Sequence, residues 1–285
     1  MGQRIAQQLQ VGAGSSRLRG PKVLALTSSP ARVAQLQAQG ITPLQGNLDD
    51  AKSLHRLRGV ARYVVHLAPP PAVGRRDTRT QHLLRVLGQG SATRRLVYGS
   101  TTGVYGDCAG AWVDETRPVQ PMTERAQRRA DAEQQVRRWG VRRRVGVQVL
   151  RIPGIYAPDR EGGTPRTRLL KGLPVLHANE DVFTNHIHAD DLAQIALAAL
   201  WRGHAMRTYN ACDSTQMRMG EYLDWAADGY GLPRPPRVSR AQAQQLLSPM
   251  MLSFMGESRR LRNARMLREL RVRLRYPTVR EGLGL

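Results

Sequence analysis

The sequence predicts an α/β protein built on a doubly wound parallel sheet, with a smaller, mostly helical C-terminal lobe. Three observations carry this. Short runs rich in Val and Leu alternate with stretches of helical composition. The chain's 285 residues suffice for one large or two ordinary domains, and 41% hydrophobic with 23% charged residues is the balance of a chain that buries a core. The alternation loosens past residue 155, where a differently built part begins.

The strand runs are 22–27 (KVLALT), 61–67 (ARYVVHL), 94–98 (RRLVY) and 146–151 (GVQVLR), bounded by polar residues or glycine and expected to be buried on both faces. Between them 31–39, 50–58, 77–89 and 121–139 have helical composition. Such alternation implies right-handed crossovers. Beyond 155 a Gly/Pro-rich loop leads to a helix at 189–201, a strand at 207–211 and helices at 217–229, 240–247 and 258–271. We therefore expect a sheet domain over 1–155 and 182–212, and a second lobe over 156–181 and 213–285.

No apolar run is long enough to span a bilayer, and MGQRIAQQLQ lacks the apolar stretch of a secretory signal, so a cytoplasmic protein is expected. Cys108 and Cys212, far apart in sequence, are read as packed or idle thiols rather than a disulfide framework. The net charge of +22 invites nucleic acid, but only Lys22, Lys52 and Lys171 of 44 basic residues are lysine. That bias is read as a solvated arginine surface with nonspecific polyanion binding as a side effect. The densest run, Arg137, Arg138 and Arg142–Arg144, has only Trp139 among it.

A nucleotide-binding sheet of this kind opens with a buried strand running into a glycine-rich turn. Here residues 1–6 already look helical, so a helix and no strand precedes the run at 22. Gly12 and Gly14 follow that helix and are read as its end rather than as a phosphate loop.

The residues resemble the extended, atypical short-chain dehydrogenase/reductases, often labelled NAD-dependent epimerase/dehydratases, over nearly the whole length. Gly2 is similar to the last glycine of that family's Gly-x-x-Gly-x-x-Gly turn. The resemblance thus implies a Rossmann-like sheet whose first, central strand is missing and encoded upstream, so that the chain as it stands is expected to be strongly destabilised, folding at most with a split or re-paired sheet and binding dinucleotide weakly. It implies a dinucleotide site at Gly2, at Ser28, Ser29 and Arg32, at Asn47 and Leu48, and at His66, Leu67 and Ala68. With no acid after the strand at 22–27, NADP is preferred to NAD, though Ser29-Pro30 also suits a helix N-cap.

The segment from Ser100 to Gly106 (STTGVYG) resembles the family's active-site strand end, which makes Thr101 the hydroxyl at the reacting oxygen; a hydroxyl-capped strand end is the alternative. The family's Tyr-x-x-x-Lys pair is absent. Its spacing survives as Arg125, Arg129 and Glu133, and a guanidinium cannot exchange protons at physiological pH. Arg125 and Arg129, one helical turn apart, suit an anion, with Arg129 a further cofactor contact; a solvated basic face is the alternative. Tyr105 and Tyr156 are candidate replacement acids.

Arg151 opens a segment resembling the family's Arg-x-Pro-x-x-Tyr-x-Pro loop at the substrate cleft. His186 and His188 belong to an element resembling His-Val-x-Asp-x-Ala, with Asp190 or Asp191 at a helix start, which is preferred to a metal site. The function implied is an NAD(P)-binding protein of epimerase/dehydratase type with a small anionic, nucleotide-sugar-like substrate and a homodimeric state. The alternatives are a catalytically silent dinucleotide-binding sensor or partner-binding module, and a polyanion-binding surface.

Overall fold

The structure, a computed structural model, describes residues 1–13 and 21–285. The chain opens with α1 (Gly2–Ala13), followed by β1 (Leu24–Thr27), α2 (Arg32–Ala38), β2 (Thr42–Gln45), a 3-10 turn over Ala51–Leu57, β3 (Tyr63–His66), α3 (Thr78–Leu87) and β4 (Arg95–Thr101). After a second 3-10 turn, Thr102–Tyr105, come β5 (Trp112–Val113), α4 (Glu124–Arg143), β6 (Gly146–Ile152), β7 (Gly154–Tyr156) and α5 (Arg166–Leu170). Next are β8 (Val175–Leu176), β9 (Phe183–Thr184), β10 (His186–His188), α6 (Ala189–Arg202) and β11 (Arg207–Asn210). The chain ends with β12 (Met217–Arg218), α7 (Met219–Tyr230), β13 (Arg237–Val238), α8 (Arg240–Leu246), α9 (Pro249–Met255), β14 (Arg260–Leu261), α10 (Ala264–Leu270) and α11 (Val279–Leu283).

The predicted parallel sheet is present, in two pieces. Four strands pair in the order β11-β6-β4-β3, all parallel, and β1 pairs with β2, also in parallel. Within the described residues β1 and β3 each pair on one side only. Burial follows pairing: five consecutive residues are buried in β4 and in β6, but one each in β1 and β3. The expectation that 22–27 and 61–67 are buried on both faces is thus corrected, because a strand paired on one side lacks the neighbour that would cover it.

One helix ties the two pieces together. Ile5 of α1 is buried against Val97, Leu150 and Ile195 of the large sheet's core, while Ala6 is buried with Leu36 and Ile41 beside β1. Burying one such isoleucine contributes about 1.5–3 kcal/mol. Polar contacts pin the same helix on both sides: Arg4 pairs with Asp159 (2.6 Å) and with Asp190, and Gln10 Nε2 donates to Gln39 O (2.8 Å). Gly12 lies inside α1 and does not end it, whereas Gly14 lies outside the described residues.

α4 covers the large sheet along a stripe of small residues, Ala126, Ala130, Ala132 and Gly140, with Val136 and Trp139. Gly140 is required there, since a Cβ would stand 2.5 Å from Val147 Cγ2. Thr123 caps the helix by accepting from Ala126 N, and Glu124 at its start and Arg142 and Arg143 at its end complement the helix dipole.

A separate hydrophobic core forms in the C-terminal part around Leu176, Val182, Tyr222, Leu223 and Val279. The helix expected over 258–271 is shorter. Arg260–Leu261 instead pairs in parallel with Trp112–Val113, and only Ala264–Leu270 is helical, with Met266 and Leu270 buried in the sheet's core. α9, not anticipated from the sequence, carries ordinary start signals: Ser248 accepts from Met251 N and Pro249 is its first residue.

Candidate functional site

In a doubly wound sheet ligands gather at the carboxyl ends of the strands. At the end of β4 successive side chains point to opposite faces. Ser100 turns inward and donates to Glu133 Oε1 (2.6 Å), while half-buried Thr101 turns the other way. Thr101 Oγ1 accepts from Gly103 N (3.3 Å), capping the following turn, and its own proton has no acceptor among the described residues.

Arg129 reaches from α4 to this strand end. Its Nη1 donates to Gly99 O (2.8 Å), Ala68 O (3.3 Å) and the Tyr98 hydroxyl (3.3 Å), strapping the ends of β3 and β4 together. Arg125, one turn earlier and exposed, instead lies over the Phe254 ring of α9, with Cζ 4.9 Å from its centroid.

The segment after β3 presents backbone rather than side chain. His66 is buried, its Nε2 2.9 Å from Thr80 Oγ1, and that hydroxyl donates to Asp77 Oδ2 (2.8 Å). Thr80 has one proton to give, so His66 Nε2 is the donor in its bond. Burial, with Arg129 nearby, pushes the imidazole down to about 3, and it is neutral. The imidazole is turned into the core, whereas Leu67 and Ala68 are half-buried. Leu67 is wedged against Gly99, where a Cβ would come within 2.7 Å of its Cδ2. Asp77, which caps α3 through Thr80 N, and Thr80 were missed in the sequence; the Asp-x-x-Thr spacing of a helix start was the signal.

After β1, Ser28 and Arg32 are exposed and Ser29 is half-buried. Ser29 N donates to Thr27 Oγ1 (3.2 Å) and α2 has Ala31 at its cap with no side-chain bond, so the N-cap reading of Ser29 is corrected. Asn47 closes its own turn, accepting from Asp49 N (3.0 Å), and Leu48 O takes a bond from His82 Nδ1 (2.8 Å). Gly2 begins α1 exposed, with open space where a Cβ would point.

Several expected site residues are committed elsewhere. Arg151 is buried and forked onto Glu133 (Nε–Oε1 3.1 Å, Nη2–Oε2 2.9 Å), beneath the Tyr105 ring. A buried guanidinium paired this way holds α4 to β6. Tyr105 donates to Asn210 Oδ1 (2.7 Å) and burial pushes its phenol up to about 12. Tyr156 donates to Thr278 O (3.1 Å) and burial raises it as well. Both hydroxyl protons are thus taken by internal acceptors.

The two histidines of β10 are closed off from solvent. His186 packs on Tyr222 (centroids 4.5 Å apart) and burial pushes it down to about 4. His188 packs on Tyr276 (3.9 Å) and itself caps α6, its Nδ1 accepting from Asp190 N (3.2 Å). Asp190 and Asp191 lie in the first turn of α6, where their charge complements the helix start. Asp190 pairs with Arg4, and Asp191 accepts from Arg275 N (2.8 Å) and Tyr276 N (2.9 Å), holding the C-terminal segment. No group of three His, Cys, Asp or Glu is gathered to hold a metal among the described residues. A cavity of about 450 Å³ opens between α1 and α6, lined by Arg4, Gln7, Gln8, Asp159 and Asp190.

The description of the NAD dependent epimerase/dehydratase family matches residues 13–212. The chain belongs to that family. Among solved structures, this chain is 30% identical to a functionally unknown conserved protein from Silicibacter pomeroyi, covering 99% of this chain and 92% of that one with a TM-score of 0.77. It shares its fold with the dTDP-glucose 4,6-dehydratase of Streptomyces venezuelae, solved with NAD and TYD (21% identity, 99% and 91% covered, TM-score 0.78). The UDP-glucose 4-epimerase of Thermotoga maritima, solved with UDP-glucose, has that fold too (15% identity, 100% and 94% covered, TM-score 0.78). A comparison with curated proteins gives no match. No helix among the described residues is long and apolar enough to cross a membrane.

Proposed function

We propose that this family member holds a nicotinamide dinucleotide across the carboxyl ends of β1, β3 and β4, takes a small nucleotide-sugar-like anion beside it, and has lost the family's proton transfer. The observation that carries the reading is Arg129. Where the resemblance puts the catalytic lysine, a permanently charged guanidinium is tied to Gly99 O, Ala68 O and Tyr98. NAD agrees with the family and with the ligands of its structural relatives.

The residues fit a dinucleotide, and we read NADP as preferred. Exposed Ser28 and Arg32 follow β1, and no carboxylate occurs between residues 21 and 46 to accept a ribose 2'-hydroxyl. A bound dinucleotide supplies a hydride donor or acceptor. The chain's own part is to fix the strand ends through Arg129 and to offer the uncommitted proton of Thr101 to a ligand oxygen. The two separate cores support the division into a sheet domain (1–155 and 182–212) and a second lobe (156–181 and 213–285), with α10 docked back onto the sheet. The free Thr101 proton also favours a second reading, an enzyme that turns over through Thr101.

Fluorescence titration with NADPH and NADH tests this, followed by a cofactor-absorbance assay with UDP-glucose. Binding is expected, tighter for NADPH, and Arg32→Ala should weaken NADPH by about tenfold, the scale of one charge-assisted contact at about 1.5–3 kcal/mol. Cofactor turnover on UDP-glucose would establish the second reading, and failure of both dinucleotides to bind would overturn the two together.

A further inference from the structure

The strands β3, β4, β6 and β11 run in one direction, so the segments leading into them meet along one edge of the sheet, opposite the carboxyl ends where Thr101 and Arg129 lie. Those four segments, residues 56–63, 85–95, 137–146 and 201–207, contain thirteen arginines and no Asp or Glu. Hydrogen bonds to backbone carbonyls knit them together. Arg94 N donates to Arg62 O (2.7 Å), Gly146 N to Arg94 O (2.9 Å), and Arg95 Nη1 to Trp201 O (3.2 Å) and Gly203 O (3.0 Å). Arg62, Arg94, Arg138, Arg142 and Arg202 are exposed. The one ion pair made by any arginine of these segments, among the described residues, is Arg207 with Glu269.

Tertiary structure also supplies the aromatic partners that the arginine runs lack in sequence. Tyr63 opens β3 beside Arg62, and Trp201 lies near the end of α6 beside Arg202. The two are 40% and 45% exposed and meet edge to face, ring centroids 4.6 Å apart. Guanidinium groups fork onto phosphate, and a dense set of them releases counterions from a phosphate chain. Exposed rings give unpaired bases a surface to stack on. Anchoring at a membrane surface would use a long amphipathic helix lying on it with an apolar face, and this edge is built from the last turns of α3, α4 and α6 and the loops that lead from them into strands.

We propose that this basic edge binds single-stranded nucleic acid through its phosphates and by stacking on Tyr63 and Trp201, without sequence preference. The site is separate from the dinucleotide ends of the strands and stands whether or not the dinucleotide reading does.

Fluorescence anisotropy of the full chain with a labelled oligo(dT) of about twenty nucleotides tests this, a length that spans a typical single-strand site. Binding should weaken at least about tenfold between about 50 and 200 mM salt. Trp201→Ala should weaken oligo(dT) about tenfold and leave a duplex of equal length unaffected, since only unpaired bases stack. Two double variants from different segments, Arg138→Glu with Arg142→Glu and Arg62→Glu with Arg94→Glu, should each weaken both ligands at least about tenfold. Thermal melting confirms that each variant is folded. The proposal is overturned if oligo(dT) does not bind at low salt, if folded Trp201→Ala binds it like the parent, or if both charge reversals leave its affinity unchanged. Phosphatidylserine vesicles that displace oligo(dT) and bind at least as tightly would also overturn it.

Discussion

β4 and β1 are both short apolar strands of one parallel architecture, yet β4 buries five residues in succession and β1 only Thr27. The difference lies in what stands beside them. β4 has β3 and β6 on its two sides and α4 and α6 across its faces, whereas β1 has β2 on one side. Strand sequence sets the capacity to be buried, and neighbours decide how much of that capacity is used. Stability should therefore be concentrated in the β4–β6 region and thin in β1 and β3.

The largest effect is expected where the deep region holds its buried charge. Glu133→Ala leaves Arg151 uncompensated and Ser100 without its acceptor, and should cost about 3–5 kcal/mol in urea unfolding. A loss below about 1 kcal/mol, the scale of an exposed pair, would mean that α4 and β6 are not held by this contact. Next, Leu150→Ala, at a fully buried position of β6, should cost about 2–5 kcal/mol, and Leu26→Ala, at a half-buried position of β1, clearly less. Equal losses would break the comparison.

The smallest effect concerns His66, the one buried residue of β3. Its folded pKa of about 3 lies below the ordinary 6.5, so between these values the unfolded chain binds more protons than the folded one. Its contribution to stability is therefore intact above about pH 6.5 and is lost as pH falls toward 3. Burial raises the Asp77 carboxyl, which gives the opposite slope, so the test is a difference. Urea midpoints measured at neutral pH and in mild acid should fall less for His66→Gln than for the parent. An unchanged pH dependence would show that protonation at the end of β3 is not coupled to unfolding.

Much of this was legible in the amino acids, for identifiable reasons. The four Val/Leu-rich runs became strands, and the helical stretches between them became helices or 3-10 turns, because local composition and pairing agree there. Thr101 was named by the resemblance of the Ser100–Gly106 segment to the family's active-site strand end, and strand alternation turns it away from Ser100. What could not be seen were partnerships across the chain. Glu133 and Arg151 are both named by the family resemblance, but that they spend themselves on each other depends on how α4 crosses β6. His186 and His188 were expected at the substrate cleft, and their closure by Tyr222 and Tyr276 comes from segments far along the chain. Likewise Tyr63 and Trp201 meet only in the fold.

Adjacent residues of a helix point about 100° apart. In α1 that angle is what lets Ile5 face one core and Ala6 the other. The helix behaves as a keystone whose two flanks are cut from consecutive letters, so its rotational setting is shared property. Deepening the seat of one residue turns the other out of its own, and a disturbance in the β1–β2 ribbon is felt in the large sheet through that single turn of backbone.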